Sequence, residues 1–419
     1  MLERFRQRWY ADGGYRELLA VALPLIVSFG SLTVKQFVDS VYLSRYDPSH
    51  DHLAAVVPAS NLNYTIFLFF MGTAGYVNTF VAQYYGAERY GRIGRSVWQG
   101  IYFGLFSGVL LLGLIPLAGP IIDLVSVGGN ANVRRLETIY FRAMFVAGPF
   151  LVIRAALIGF FSGRGRTMVI MWTALTGMLV NIGLNWVFIF GRYGFPEWGM
   201  AGAAAGTIVS IAVEMAIYAI IFFGRPCREV YGSLREWRFE WDLFRRLLRY
   251  GVPTGVQISL NVLSFALFMF MVGQLGKAEK AATALAFRVE TFAFLPMLGT
   301  SFAVTALVGR RLAQERVDLA EKTTWSGGRV AAIYMTAVAA LFVFAPDLFI
   351  ALYGMEGAGG GDEGAIARVL LRFVAVFSVF NSANLVFNAA LRGAGDTRFV
   401  AVLSLVLSWT VMLGPAALA

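Results

Sequence analysis

The sequence predicts an all-α polytopic membrane protein made of two parallel six-helix repeats, the second lacking its final helix, so that eleven spans are present. Three observations lead there. Of 419 residues, 58% are hydrophobic and only 14% charged, a balance far from that of a water-soluble domain. The apolar residues fall in continuous runs, each long enough to cross a bilayer as a helix. Sequence patterns from the first half return in the second at nearly constant spacing, the mark of a duplicated membrane unit.

Taken in order, the runs lie near Glu17 to Arg45, His52 to Gln83, Ser96 to Leu117, Leu136 to Phe161, Thr167 to Gly191, Gly199 to Phe223, Leu243 to Gly276, Ala281 to Val308, Ala320 to Ala345, Ala365 to Leu391 and Phe399 to Ala419. Barrel strands are excluded, because the runs are continuous rather than alternating and much longer than a strand needs.

The net charge of +10 does not signal nucleic acid, because the basic residues are confined to every second loop. Arg4, Arg6, Arg8 and Arg16, then Arg89, Arg92 and Arg95, then Arg164 and Arg166, then Arg225 to Arg249, then Arg310, Arg311, Arg316 and Lys322 mark one side. By the positive-inside rule that side is cytoplasmic, the N-terminus included, in a plasma membrane or a bacterial inner membrane. The intervening loops carry Asp47, Asp51, Asp123, Glu197 and a glycine-rich acidic stretch from Glu356 to Glu363. No cleavable signal is expected, since the first apolar helix is too long and too polar in its second half. Cys227 stands alone, so neither a disulfide framework nor a cysteine metal site is expected.

The repeat is specific. Val81, Gly86, Glu88, Arg89, Trp98 and Gly100 return as Val308, Ala313, Glu315, Arg316, Trp325 and Gly327, each 227 residues later. Arg142, Val146 and Phe150 return as Arg372, Val376 and Phe380 after 230, as do Gly163, Gly165 and Thr167 in Gly393, Gly395 and Thr397. Both copies begin with a helix leaving the cytoplasm, carrying Pro24 in one and Pro253 in the other. The repeats are therefore parallel. The expected division is an N-lobe over 1–224, a cytoplasmic linker over 225–242 and a C-lobe over 243–419. The second copy reaches only the equivalent of Ile189, about one helix short, and truncation is the expected reason.

Asp39 lies inside the first apolar run. A carboxylate there is costly and marks by default an ion, proton or substrate path. At 1.5 Å per residue, Asp39 is roughly 10 Å from the outer end of its helix, Asn185 about 9 Å, Asn181 about 15 Å and Thr207 about 12 Å. Asn181 and Asn185 share one face of the fifth helix, as Ala203 and Thr207 share one face of the sixth. A carboxylate, two amide oxygens, a hydroxyl and a spare carbonyl suit a hard cation. Lys35, one turn before Asp39, offers the alternative of an intrahelical pair that merely neutralises the acid, and the two asparagines can be interhelical glue.

The chain resembles the multidrug and toxic compound extrusion (MATE) family of cation-coupled antiporters. The likeness rests on Phe37-Val-Asp-Ser40, Phe80-Val-Ala-Gln-Tyr-Tyr-Gly-Ala87, Gly163-Arg-Gly-Arg-Thr167, the run from Gly194 to Ala204, Arg288 to Pro296, and Ala390 to Thr397. It covers nearly the whole chain. The resemblance implies two lobes about a central cavity, alternating access, and export of small cationic, drug-like organic compounds in exchange for Na⁺ or H⁺, with no cofactor and as a monomer in the lipid bilayer. It implies a cation site at Asp39, Asn181, Asn185 and Thr207, with a carbonyl from Ala203, and bending of the first helix near Pro24.

In the second lobe, acids of the sodium-coupled bacterial branch fall on Asn261 and Asn381, both amides here. A charged second site is therefore not expected, although Asn261, Asn381 and Asn384 can line the cavity. Glu290 is read as a structural or gating ion pair with Arg288 or Arg372. The rival function is a flippase for a lipid-linked saccharide, with Arg142, Arg154 and Arg372 available for its pyrophosphate. An enzyme is not expected, because no HExxH, GxSxG or bilayer-depth histidine is present. His50 and His52 belong to a solvated external loop.

Overall fold

The computed structural model of the chain describes residues 9–47, 49, 51–125, 130–352 and 362–414. His50 and Glu356 lie outside them. No strand occurs among the described residues. Among the described residues, ten helices are long and apolar enough to cross a membrane: span 1 (Tyr15–Tyr46), span 2 (Asp51–Gly86), span 3 (Tyr90–Val125), span 4 (Ala131–Gly163), span 5 (Thr167–Phe190), span 6 (Met200–Phe223), span 7 (Trp241–Leu275), span 8 (Ala278–Ala313), span 9 (Val317–Phe344) and span 10 (Gly364–Ala394). The eleventh apolar helix, Thr397–Thr410, is shorter, and its end lies in a π-helical stretch, Leu407–Leu413.

Several helices run past the apolar segments that announce them. Span 4 begins at Ala131 because Asn130 caps it, its side chain accepting from the amide of Asn132. Such a cap satisfies an otherwise orphaned donor at the helix start. Span 3 is interrupted by the single-turn helix Ile115–Leu117, where Pro116 follows Ile115; proline cannot supply the amide that the helical ladder needs.

The duplication is visible in the backbone. Glu88 and Glu315, 227 residues apart, both adopt left-handed conformations, with φ of 58° and 59°. Gly163 and Gly393 make equivalent close approaches: a Cβ would stand 2.6 Å from the carbonyl oxygen of Asn78 in one case and of Thr305 in the other. Only glycine allows the two backbones that near.

The helices form two compact units, each made of parts of both sequence halves. One contains residues 27–259 and the other residues 1–26 with 260–419. These packing units group residues 1–26 with 260–419 and are a different division from the repeat boundaries at 224 and 243. The first part of span 7 packs within the first unit, where Gly72 meets Gly255, and the first part of span 1 packs within the second, where Gly299 meets Ile26. Small residues at both contacts let the helices approach closely, as membrane helices require when lipid supplies no hydrophobic drive.

Within the first unit, span 4 packs on spans 2, 3 and 6, and spans 5 and 6 pack on each other. The second unit repeats part of this, span 10 packing on spans 8 and 9. Its core gathers Leu285, Val289, Phe342, Ile350, Leu371 and Val374.

Candidate cation and substrate site

Span 1 brings Asp39 against span 5, where Asn185 donates from Nδ2 to Asp39 Oδ1 at 2.5 Å. One turn along span 5, Asn181 donates to the Thr207 hydroxyl at 3.3 Å. That hydroxyl donates in turn to the Ala203 carbonyl at 2.9 Å. The five positions expected from the sequence are thus brought together. Span 6 closes on span 5 through small residues: a Cβ at Gly206 would lie 1.9 Å from Asn185 Oδ1.

Asn181 and Asn185 are fully buried, at 1% and 0% exposure. Their Oδ1 atoms have no hydrogen-bond partner. Leaving a buried acceptor unsatisfied costs about 1–3 kcal/mol, so each asparagine keeps an acceptor oxygen to spare on the helix that Asp39 meets. Among the described residues no group of three or more histidine, cysteine, aspartate or glutamate side chains offers a transition-metal site.

Lys35 does not neutralise Asp39. Its Nζ lies 2.8 Å from Oε1 of Glu214 on span 6, and the Arg154 guanidinium from span 4 holds the other oxygen, Oε2. The Glu214 side chain is 2% exposed, Lys35 10% and Arg154 14%. Gly177 makes the room, since a Cβ there would stand 2.1 Å from Glu214 Oε1. Two cations on one carboxylate satisfy the rule that buried charges are paired. Sequence reading passed over Glu214, although an acid within the apolar run of span 6, seven residues beyond Thr207, lies on the same helical face two turns further in.

Asp39, partly exposed, is the carboxylate of this cluster. The sequence decides the family. The MatE family model matches the chain twice, at residues 24–187 and 253–415. The chain belongs to the MATE family. A probable multidrug resistance protein NorM from Geobacillus kaustophilus (strain HTA426) is 30% identical over 407 residues, 96% of this chain and 87% of the relative. A protein of the same description from Rhizobium meliloti (strain 1021) is 30% identical over 376 residues, 86% of this chain and 77% of the relative. A solved outward-facing multidrug resistance MATE family transporter of the MOP superfamily superposes with a TM-score of 0.83 at 22% identity, covering 98% of this chain and 89% of that one.

In this MATE chain the second unit is arranged differently. Glu290 is buried, accepts a hydrogen bond from Asn381, and keeps Oε1 without a partner. It forms no ion pair within 4 Å among the described residues, which corrects the expected bridge to Arg288 or Arg372, both exposed. Arg288 could not have served, because two residues along a helix turn a side chain by about 200°. Asn261 accepts from Ser408 at 3.3 Å, and Asn384 accepts from Asn388. The three asparagines thus have separate partners. Pro24 is buried within an unbroken helix in the same unit.

His52, expected in the loop, lies in the first turn of span 2, and its Nδ1 is 2.9 Å from Asp47 in the loop before it. The His52 ring, with Ser49, holds the Asp47 carboxyl well below the usual carboxylate range.

Proposed function

We propose that the protein is a secondary antiporter that exports small organic compounds across the plasma membrane in exchange for Na⁺ or H⁺, acting as a monomer by alternating access, with its N-terminus in the cytoplasm. The observation that carries this reading is the cluster of Asp39 with the two orphaned amide oxygens of Asn181 and Asn185. The NorM relatives' description as multidrug resistance proteins supports drug export. A coupling ion at Asp39 replaces the N–H that Asn185 donates with a positive charge and lets the amide turn its unsatisfied oxygen inward. A neutralised Asp39 holds a cationic compound less tightly, and by linkage a bound compound weakens the ion by the same factor. The lipid-linked saccharide reading gains no such support, because Arg154 is taken up by Glu214.

The test is efflux of a fluorescent organic cation from cells, with the Na⁺ and pH gradients collapsed separately and Asp39→Asn alongside. Efflux driven by one gradient and lost in the variant is the expected result. Wild-type efflux by Asp39→Asn at equal expression removes Asp39 from the mechanism.

A further inference from the structure

Four ionisable side chains occupy adjoining turns of spans 1, 4 and 6: Asp39, Lys35, Glu214 and Arg154. They comprise two carboxylates and two cations, so the group is balanced only while Asp39 carries its charge and holds no ion. The partners are unevenly shared. Glu214 has both cations within ion-pair distance, whereas Asp39 has the neutral N–H of Asn185 as its hydrogen-bond partner and feels the Lys35 ammonium only from further off. Arg154 also faces the phenols of Tyr218 and Tyr64. Lys35 and Asp39 are spaced i, i+4 on one helix, which puts their side chains on neighbouring turns about 6 Å apart at Cβ. A lysine side chain, with four rotatable carbons and a point charge, can reach either carboxylate; an arginine fork is less free to change partners.

We propose that Lys35 is a tethered cation that alternates between the two carboxylates. It rests on Glu214 while a coupling ion occupies Asp39, and it moves to Asp39 when that ion has left. Glu214 is not stranded by the move, because Arg154 stays on Oε2. The emptied lobe can then change conformation without an uncompensated carboxylate inside the membrane, where such a charge is costly. The incoming ion must displace the ammonium, so Lys35 sets the ion concentration at which the site fills. This inference rests on Asp39 being the coupling site.

The geometry assigns opposite signs to two variants, which a merely structural triad does not. In Lys35→Gln nothing competes at Asp39, and Glu214 keeps Arg154, so ion affinity rises; an ammonium beside a carboxylate changes its ion binding by about tenfold or more. In Glu214→Gln the lysine has only Asp39 to pair with, and affinity falls by a similar factor. Arg154→Gln is the further check if Glu214→Gln fails to insert: Glu214 then retains Lys35 as its only cation, and affinity at Asp39 rises. Lys35→Arg keeps the charge, and its affinity stays between those of wild type and Lys35→Gln.

The measurement is tryptophan fluorescence of the purified full chain, titrated with Na⁺ at fixed pH and with protons at fixed Na⁺. Trp186, the neighbour of Asn185, is the reporter, and Trp186→Phe identifies its signal. Opposite shifts for Lys35→Gln and Glu214→Gln, or raised affinity in both Lys35→Gln and Arg154→Gln where Glu214→Gln fails to insert, are the expected results. Shifts of the same sign for the first pair, or no shift in Lys35→Gln, overturn the proposal. Asp39→Asn separates the two readings: a titration that persists in it shows the ion binding elsewhere and defeats the proposed function, whereas one that vanishes while Lys35→Gln matches wild type defeats the tethered cation alone.

Discussion

The two units share a backbone and differ in charge. Glu88 and Glu315 take the same left-handed turn, and Gly100 and Gly327 sit against Val77 and Val304, again 227 residues apart. Carried along the repeat at the offset of Pro24 and Pro253, Asp39 becomes Phe268 and Lys35 becomes Ser264; at the later offset, Arg154 becomes Asn384. Phe268 packs edge-on against Phe287, an ordinary apolar contact. The fold is therefore built without these charges, and the first unit carries them at a cost that folding does not explain. That cost is the strongest physical reason to place ion coupling in the first unit.

Breaking the asymmetry most severely is Gly177→Leu, which copies Leu407 from the second unit. Its side chain would occupy the Glu214 carboxylate's position, expelling it and leaving Lys35 and Arg154 buried without a counter-charge. A loss of about 3–5 kcal/mol is expected, seen as lost thermal stability in detergent. Next is Phe268→Asp, the reverse transplant. An acid there has no amide partners like Asn181 and Asn185, so it costs about 2.5–3.5 kcal/mol and does not restore gradient-driven efflux when combined with Asp39→Asn. Recovery of efflux in that double variant would make the two units interchangeable.

Glu290→Gln sharpens the comparison with a smaller effect. The amide retains a partner in Asn381, so efflux is expected to fall by no more than about twofold, the usual scale of losing one modest hydrogen bond. A change in which ion drives efflux would move coupling into the second unit. The smallest effect is expected in the loop of Asp47. The amides of Ser49 and His52 both donate to its carboxylate, so Asp47→Asn should speed their hydrogen exchange at neutral pH. Because the folded carboxyl titrates below its unfolded value, its contribution is full above about pH 4 and is lost only as pH falls through the depressed value. Exchange protection in the wild type should therefore stay flat between neutral pH and about pH 4.

Spans and repeat were legible because they are local: apolar run length and recurring spacing need no knowledge of contacts. The first-unit cluster was legible too, since helix geometry places Asp39, Asn181, Asn185 and Thr207 at similar depth. What failed was partner choice. Lys35 has an acid four residues away in sequence yet pairs with one 179 residues away, and nothing along span 1 reports that Gly177 opens a notch for Glu214. Glu290 fails for the converse reason, since depth alone proposes Arg288 while helical phase turns it to the other side.

The exchange of residues 1–26 and 241–259 between the units bears on ancestry and on splitting the gene. Cutting the chain in the linker leaves neither fragment with a complete unit, since each half owns a helix segment on which the other half closes. Two such fragments would interlock rather than dock, and a homodimer of one repeat built on this plan would be domain-swapped from the start. Fusion of the repeats would then have removed the dependence of that exchange on protein concentration.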